Sequence, residues 1–185
     1  MKKNLFLTLA LLLASLVGVN AQDWSMTLSA DQGLPGFYAV KGELNNVLVY
    51  KSSVIRPGKA VNSLRFTVVG TQNGEKPQGN NLCFALAEFA IYALDGNKIN
   101  YTVTSNADHN TLSGSTDGQG LPAENDGDYN TYFHSMWAGG GKEVTDFHYL
   151  EFELAKSLNE FIVEWSPRYT GGKHKNSPTA VGLTE

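Results

Sequence analysis

Cys83 is the only cysteine among 185 residues, so no intrachain disulfide can form and the fold must rest on its hydrophobic core. Basic runs are missing too. The chain holds 14 Lys+Arg against 18 Asp+Glu, a formal charge of -4, and binding to nucleic-acid phosphates needs clustered cations, which excludes nucleic acid as a partner. Past Ala21 no apolar run nears the roughly 20 residues that cross a bilayer, so no membrane span is expected. Catalytic signatures are equally scarce. There is no Gly-x-Ser-x-Gly elbow and no His-Glu-x-x-His, and Gly139-Gly140-Gly141-Lys142-Glu143 lacks both the spacing and the hydroxyl of a phosphate loop. His109, His134, His148 and His174 have no metal-ligand spacing. Cys83, inside Asn81-Leu82-Cys83-Phe84-Ala85, reads as a buried, inert thiol. No enzyme is expected.

The start of the chain has the marks of an export signal. Met1, Lys2 and Lys3 precede an apolar run from Leu5 to Val17, and Val19-Asn20-Ala21 is a small-residue cleavage pattern. The expectation is a signal peptide over 1–21, cleavage before Gln22, and a mature chain that is secreted, periplasmic or on the cell surface. Loss of Lys2 and Lys3 leaves 12 Lys+Arg against 18 Asp+Glu, moving the charge from -4 to -6. The remaining residues, 22–185, suit one domain with its own core.

In that region the apolar period is two. Leu64, Phe66 and Val68 alternate with polar residues in Ser63–Val69, as on a half-buried strand. Leu82 to Ala93 is apolar on both faces, which predicts a central strand covered by two layers, and Leu94-Asp95-Gly96-Asn97 predicts a tight turn. Ile99, Tyr101 and Val103 then share one face. Ser105 to Asn130 reads as a long polar loop, and such loops are usually functional. Further strands are predicted at Tyr132–Trp137, at His148–Leu154, at Phe161–Trp165, and at Ala180–Thr184. On His148–Leu154 the inward residues are Leu150, Phe152 and Leu154, with His148 as a hydrogen-bonded core histidine; Glu151 and Glu153 share the solvent face. Short strands between Gly-rich turns predict an all-β sandwich or jelly roll.

The segment Ala123–Trp137 carries the chemistry. A tight acidic turn followed by a hydroxyl residue gathers oxygens on one curve, as a hard cation prefers, although such turns are also ordinary loop chemistry. The run Asp126-Gly127-Asp128-x-x-Thr131-x-Phe133-His134-Ser135-x-Trp137, then His148-Tyr149-Leu150-Glu151-Phe152-Glu153-Leu154, then Ser166-Pro167-Arg168-Tyr169, resembles the first half of a discoidin domain. That is the coagulation factor 5/8 type C family, which includes the family 32 carbohydrate-binding modules; Phe133 stands where Trp is commoner. Ser63–Tyr92, with Ala87-Glu88, is similar to that family's second half. The halves stand in swapped order, as in a circularly permuted domain or a truncation that joins pieces of two domains.

The resemblance implies a galactose-binding-like jelly roll and a non-catalytic module that binds a glycan or glycoprotein. The alternative is an extracellular protein-binding or adhesion domain. His134, Trp137, Arg168, Tyr169 and His174 are the implied ligand-binding candidates, Arg168 having a salt bridge as its bland alternative. The resemblance further implies a structural calcium ion held by Glu88, Asp126 and Thr131, with main-chain carbonyls near Asn125 and Ala87. Glu88 supports this from chemistry alone, since a carboxylate in an apolar strand is costly unless paired or bound to metal.

Overall fold

A computed structural model describes residues 24–29, 38–40, 47–80, 82–113, 120–137, 143–168 and 176–185. The leader read in 1–21, the glycine run 139–141, Tyr169 and His174 lie outside these residues. The strands are β1 (Ser25–Ser29), β2 (Tyr38–Val40), β3 (Val47–Lys51), β4 (Val61–Thr71), β5 (Ala85–Tyr92), β6 (Tyr101–Ser105), β7 (Phe133–His134), β8 (Tyr149–Leu158), β9 (Ile162–Pro167) and β10 (Pro178–Thr184). They form two five-stranded antiparallel sheets, ordered β1-β10-β4-β8-β6 and β2-β3-β9-β5-β7. The fold is an all-β sandwich. β4 and β5, the part similar to a discoidin second half, interleave with β7 to β10 in both sheets, and β1 lies against β10.

Alternation decides which face is inside. Leu64, Phe66 and Val68 on β4 and Leu150 and Phe152 on β8 are fully buried, and they meet Leu86, Phe89 and Ile91 of β5 and Val163 and Trp165 of β9 across the sandwich. Aromatic rings join the sheets: Phe89 stacks on Phe152 with centroids 4.3 Å apart, and Phe66 meets Phe89 edge-on at 5.1 Å and Trp165 at 5.4 Å. Glu151 stays on the outer face and pairs with Arg65 at 2.9 Å, while Glu153 is exposed. β5 is buried on both faces over Ala85–Ile91, a segment apolar at every position but Glu88.

Two regions differ from the sequence expectation. The long loop carries a one-turn helix, α1 (His109–Ser113), and a 3-10 turn at Leu121–Glu124. Asp108 holds the first by accepting hydrogen bonds from the Asn110 amide and the Thr111 hydroxyl; Pro122 favours the second, its ring fixing φ where no amide donor is needed. The strand predicted over Tyr132–Trp137 is reduced to Phe133–His134. The Ser135 amide bonds the Phe84 carbonyl and the Met136 amide bonds the Ala107 carbonyl, so the strip leaves the ladder and is pinned by loops.

His148 is the expected core histidine. Fully buried, it donates from Nε2 to the Gly79 carbonyl at 2.7 Å and meets the Ser135 hydroxyl at Nδ1 at 2.9 Å; that hydroxyl in turn accepts the Phe84 amide at 2.8 Å. Gly79 holds φ at +71°, a conformation that glycine tolerates best. Burial lowers the His148 pKa below 6.5. The unfolded chain therefore takes up a proton near pH 6.5 that the folded chain refuses. The stability from this histidine is complete above that pH and is lost as pH falls through the folded value. We expect His148→Phe, which strands the Ser135 and Gly79 groups, to cost about 2 kcal/mol at pH 7.5. Urea unfolding at pH 5 and 7.5 checks this; the deficit of the variant should shrink at the lower pH.

Candidate functional site

β5 carries two groups of the expected residues, one at its start and one three residues on. At the start, Ala85 pairs with His134 on β7, and its carbonyl accepts the Arg168 amide at 3.4 Å from the end of β9. One strand residue thus fixes both side chains at the same end of the sandwich. The His134 ring lies 5.8 Å from the Trp137 ring, and His109 of α1 lies 5.5 Å from Trp137 and 6.3 Å from His134. The Arg168 guanidinium stacks over Tyr132, 3.7 Å from its ring centroid, and Tyr132 lies 6.4 Å from His134. Trp137 is 44% exposed. His134, Trp137 and Arg168 are therefore brought together. Arg168 makes no ion pair among the described residues and stacks on an aromatic ring instead.

Cys83 borders this patch but has no reactive environment. Its Sγ lies 3.7 Å from His134 Nε2 and accepts a bond from Asn176 Nδ2 at 3.1 Å. Burial, with help from Glu75, pushes its thiol up to about 11. Cys, His and Asn sit together, yet the sulfur stays protonated, and a thiol is a poor nucleophile.

Three residues further along β5, the ladder to β9 shifts register between Leu86 and Glu88, so Ala87 is the extra residue of a β-bulge. Glu88 then faces outward onto the acidic turn, where its Oε1 accepts the Gly127 amide at 2.7 Å. Gly127 has φ +81°, which lets the turn present that amide to the sheet. Asp126 accepts the Thr131 hydroxyl through Oδ2 at 2.7 Å and the Asp128 amide through Oδ1 at 2.7 Å. Glu88, Asp126 and Thr131 thus lie around one turn, beside the bulge at Ala87. The Asn125 side chain is engaged by the Lys98 ammonium. Among the described residues no three His, Cys, Asp or Glu side chains form a metal-binding group by themselves, so a cation at this turn would also need hydroxyl and carbonyl oxygens.

Sequence reasoning missed Glu124. It lies 1% exposed beneath the turn, accepting the Tyr101 hydroxyl at 3.0 Å. Tyr132 and His109 were missed as members of the aromatic patch. Tyr132 lay inside the singled-out segment, whereas nothing local marked His109, which only the fold carries to Trp137.

No family model, curated protein or solved structure matches the chain. The site is therefore read from its own geometry and electrostatics.

Glu88 and Glu124, the two glutamates beside the turn, are held far from the ordinary carboxyl range. Burial raises Glu124 to about 8, opposed by the Tyr101 bond and assisted by the charges of Glu88 and Asp126; burial likewise raises Glu88 to about 7, opposed by the Gly127 amide and Lys98. Both folded values exceed the unfolded 4.5. The unfolded chain releases these protons first, so their stability is complete below about pH 4.5 and is lost as pH rises through 7 to 8. We expect the metal-stripped protein to lose stability between pH 5 and 8.5 through these groups. Glu124→Gln, which keeps an acceptor for Tyr101 and cannot titrate, should flatten that slope in urea titrations with a chelator present.

Proposed function

We propose that the domain is an exported, non-catalytic carbohydrate-binding module of the discoidin type, with its sugar site at Trp137, His134 and Arg168. The observation that carries this reading is an exposed tryptophan beside two histidines and an arginine at one end of a β-sandwich. An indole face packs against the C–H patch of a sugar ring, while the guanidinium donors reach its hydroxyls; the His134 ring is held in place by its Nδ1 contact with the Ser135 carbonyl at 2.7 Å. Arg168 supports the assignment because its plane is set by Tyr132 while it lacks an ion-pair partner among the described residues. Tyr169 and His174, the other two candidates, lie outside the described residues. A protonated Cys83 and the missing catalytic motifs favour binding over hydrolysis.

A glycan array of the purified protein tests the reading. A hit should bind in the micromolar to millimolar range usual for a single shallow site, and Trp137→Ala and Arg168→Ala should each weaken it about tenfold. Unchanged affinity in both variants would move the site elsewhere. Binding to no glycan would favour the protein-binding or adhesion alternative.

Calcium belongs to the same reading, as a structural ion. The residues fit it in three respects: Glu88 is an 8% exposed carboxylate, Asp126 and Thr131 offer oxygens on the same turn, and the Ala87 bulge frees main-chain groups from the ladder. Glu88, Asp126 and Thr131 would hold the ion, with carbonyls near Asn125 and Ala87. A bound divalent cation would supply the charge that Glu88, Glu124 and Asp126 otherwise lack. Calcium at a hundred times its dissociation constant would stabilise the fold by about 2.7 kcal/mol, or about 5–10 °C in melting temperature for a domain of this size. Asp126→Ala and Glu88→Ala should abolish the rise. No calcium shift in the metal-stripped protein would remove the ion from the account.

A further inference from the structure

A second concavity lies on the outer face of the β3-β9-β5 sheet, separate from the Trp137 patch. Its volume is about 240 Å³, and its lining includes Glu88, Ala90 and Tyr92 of β5, Glu164 and Ser166 of β9, and Tyr129 from the turn. The strand register explains the hollow. Ala90 pairs with Glu164 and Glu88 with Ser166, so the two small residues alternate with the two carboxylates in a diagonal arrangement. Diagonal neighbours on a sheet stand about 7–8 Å apart, leaving a gap floored by alanine and serine. The Gly127 amide tethers the turn to Glu88 and brings Tyr129 over this floor.

We propose that this cavity is a binding site for a small organic cation, an alkylammonium group held between the Glu88 and Glu164 carboxylates and the rings of Tyr92 and Tyr129. The rim already contains one such arrangement: the Lys51 ammonium pairs with Glu164 and sits 5.9 Å from the Tyr92 ring centroid. Carboxylate and aromatic face together are the chemistry that recognises ammonium ligands. Among the described residues the lining has no arginine, and Lys98, the one cation in it, is turned to the Asn125 side chain. Two carboxylates disfavour an anion. Drug-sized ligands occupy cavities of roughly 300–1,000 Å³, so this volume suits a ligand of few heavy atoms. Burial and then the Glu164 charge hold the Tyr92 phenol above its ordinary value, opposed by the Lys51 ammonium.

Calorimetric titration of the purified protein with choline, in the presence of chelator, tests the site. Its uncharged carbon isostere, in which a tert-butyl group replaces trimethylammonium, is the control. Choline should bind with a millimolar or tighter constant and the isostere at least about tenfold more weakly. Ala90→Leu, which fills the floor while keeping every charge, should abolish choline binding. Tyr129→Leu, on the turn and away from the core, should weaken it about tenfold and serves as the deciding variant if Ala90→Leu does not fold. Equal binding of the isostere, no binding of choline, or full affinity in the folded Ala90→Leu variant would each overturn the proposal. Choline binding that survives Trp137→Ala separates this site from the sugar site, so failure of either leaves the other standing.

Discussion

The stack of Phe89 on Phe152, rings parallel and 4.3 Å apart across the sandwich, fixes which way β5 faces. Burying such a ring is worth about 1.5–3 kcal/mol, and an aromatic pair adds about 0.5–1.5 kcal/mol. Phe66 on one side and Tyr101 on the other close around the pair edge-on, so Phe89 cannot rotate out without breaking several contacts. In a strand the neighbours of an inward residue point outward. Glu88 and Ala90 therefore face away from the core, and the acidic turn and the cavity depend on that orientation. A slip of one residue would bury the Glu88 carboxylate among phenylalanines, which is why the register is strongly specified.

A chain with a single cysteine rests on its core, and both sheets contribute to it. The outer face of the first sheet pairs charge and hydroxyl groups: Arg65 bonds Glu151 and lies 4.4 Å from the Tyr149 ring, with threonines of β6 across from Glu151 and Glu153. Register shifts occur in both sheets, between Val61 and Ser63 and between Pro178 and Val181 in the first and at Ala87 in the second. The second sheet also holds the two-residue β7 and the carboxyl of Glu88, and burial makes that carboxyl and the one of Glu124 costly when ionised.

The strands with an alternating or wholly apolar pattern were legible, and the elements held by loops and distant pairing were not. Leu64-Phe66-Val68 and Leu150-Phe152 declared their strands because burial on one face imposes a period of two, and β5 declared itself by having no polar face except Glu88. β1, β2 and β3 gave no comparable signal, and their membership in the sheets depends on pairing with distant β10 and β9. The short helix at His109–Ser113 is held by the Asp108 side chain and loop contacts, whose cues in a polar segment look like those of any turn. Glu124 was hidden for the same reason: in sequence it belongs to an acidic turn, and only the 3-10 geometry turns it under Tyr101.

The position of the sites along β5 decides how they can influence one another. With a rise of about 3.3 Å per residue, the patch at Ala85 lies about 10 Å from the turn at Glu88, and the cavity floor at Ala90 lies about 7 Å beyond that. The patch and the turn have a single rigid strand between them, and the short β7 reaches only Leu86. Residues 126–133 lead from Asp126 into β7, and on the proposed reading charge placed at the turn would reach Trp137 through their ordering. A cation there would hold Thr131 to Asp126, fix the entry to Phe133, and so limit the freedom of Tyr132, on which the Arg168 plane rests. Coupling of this kind works by removing conformational entropy before the ligand arrives, and it requires no change in the average structure.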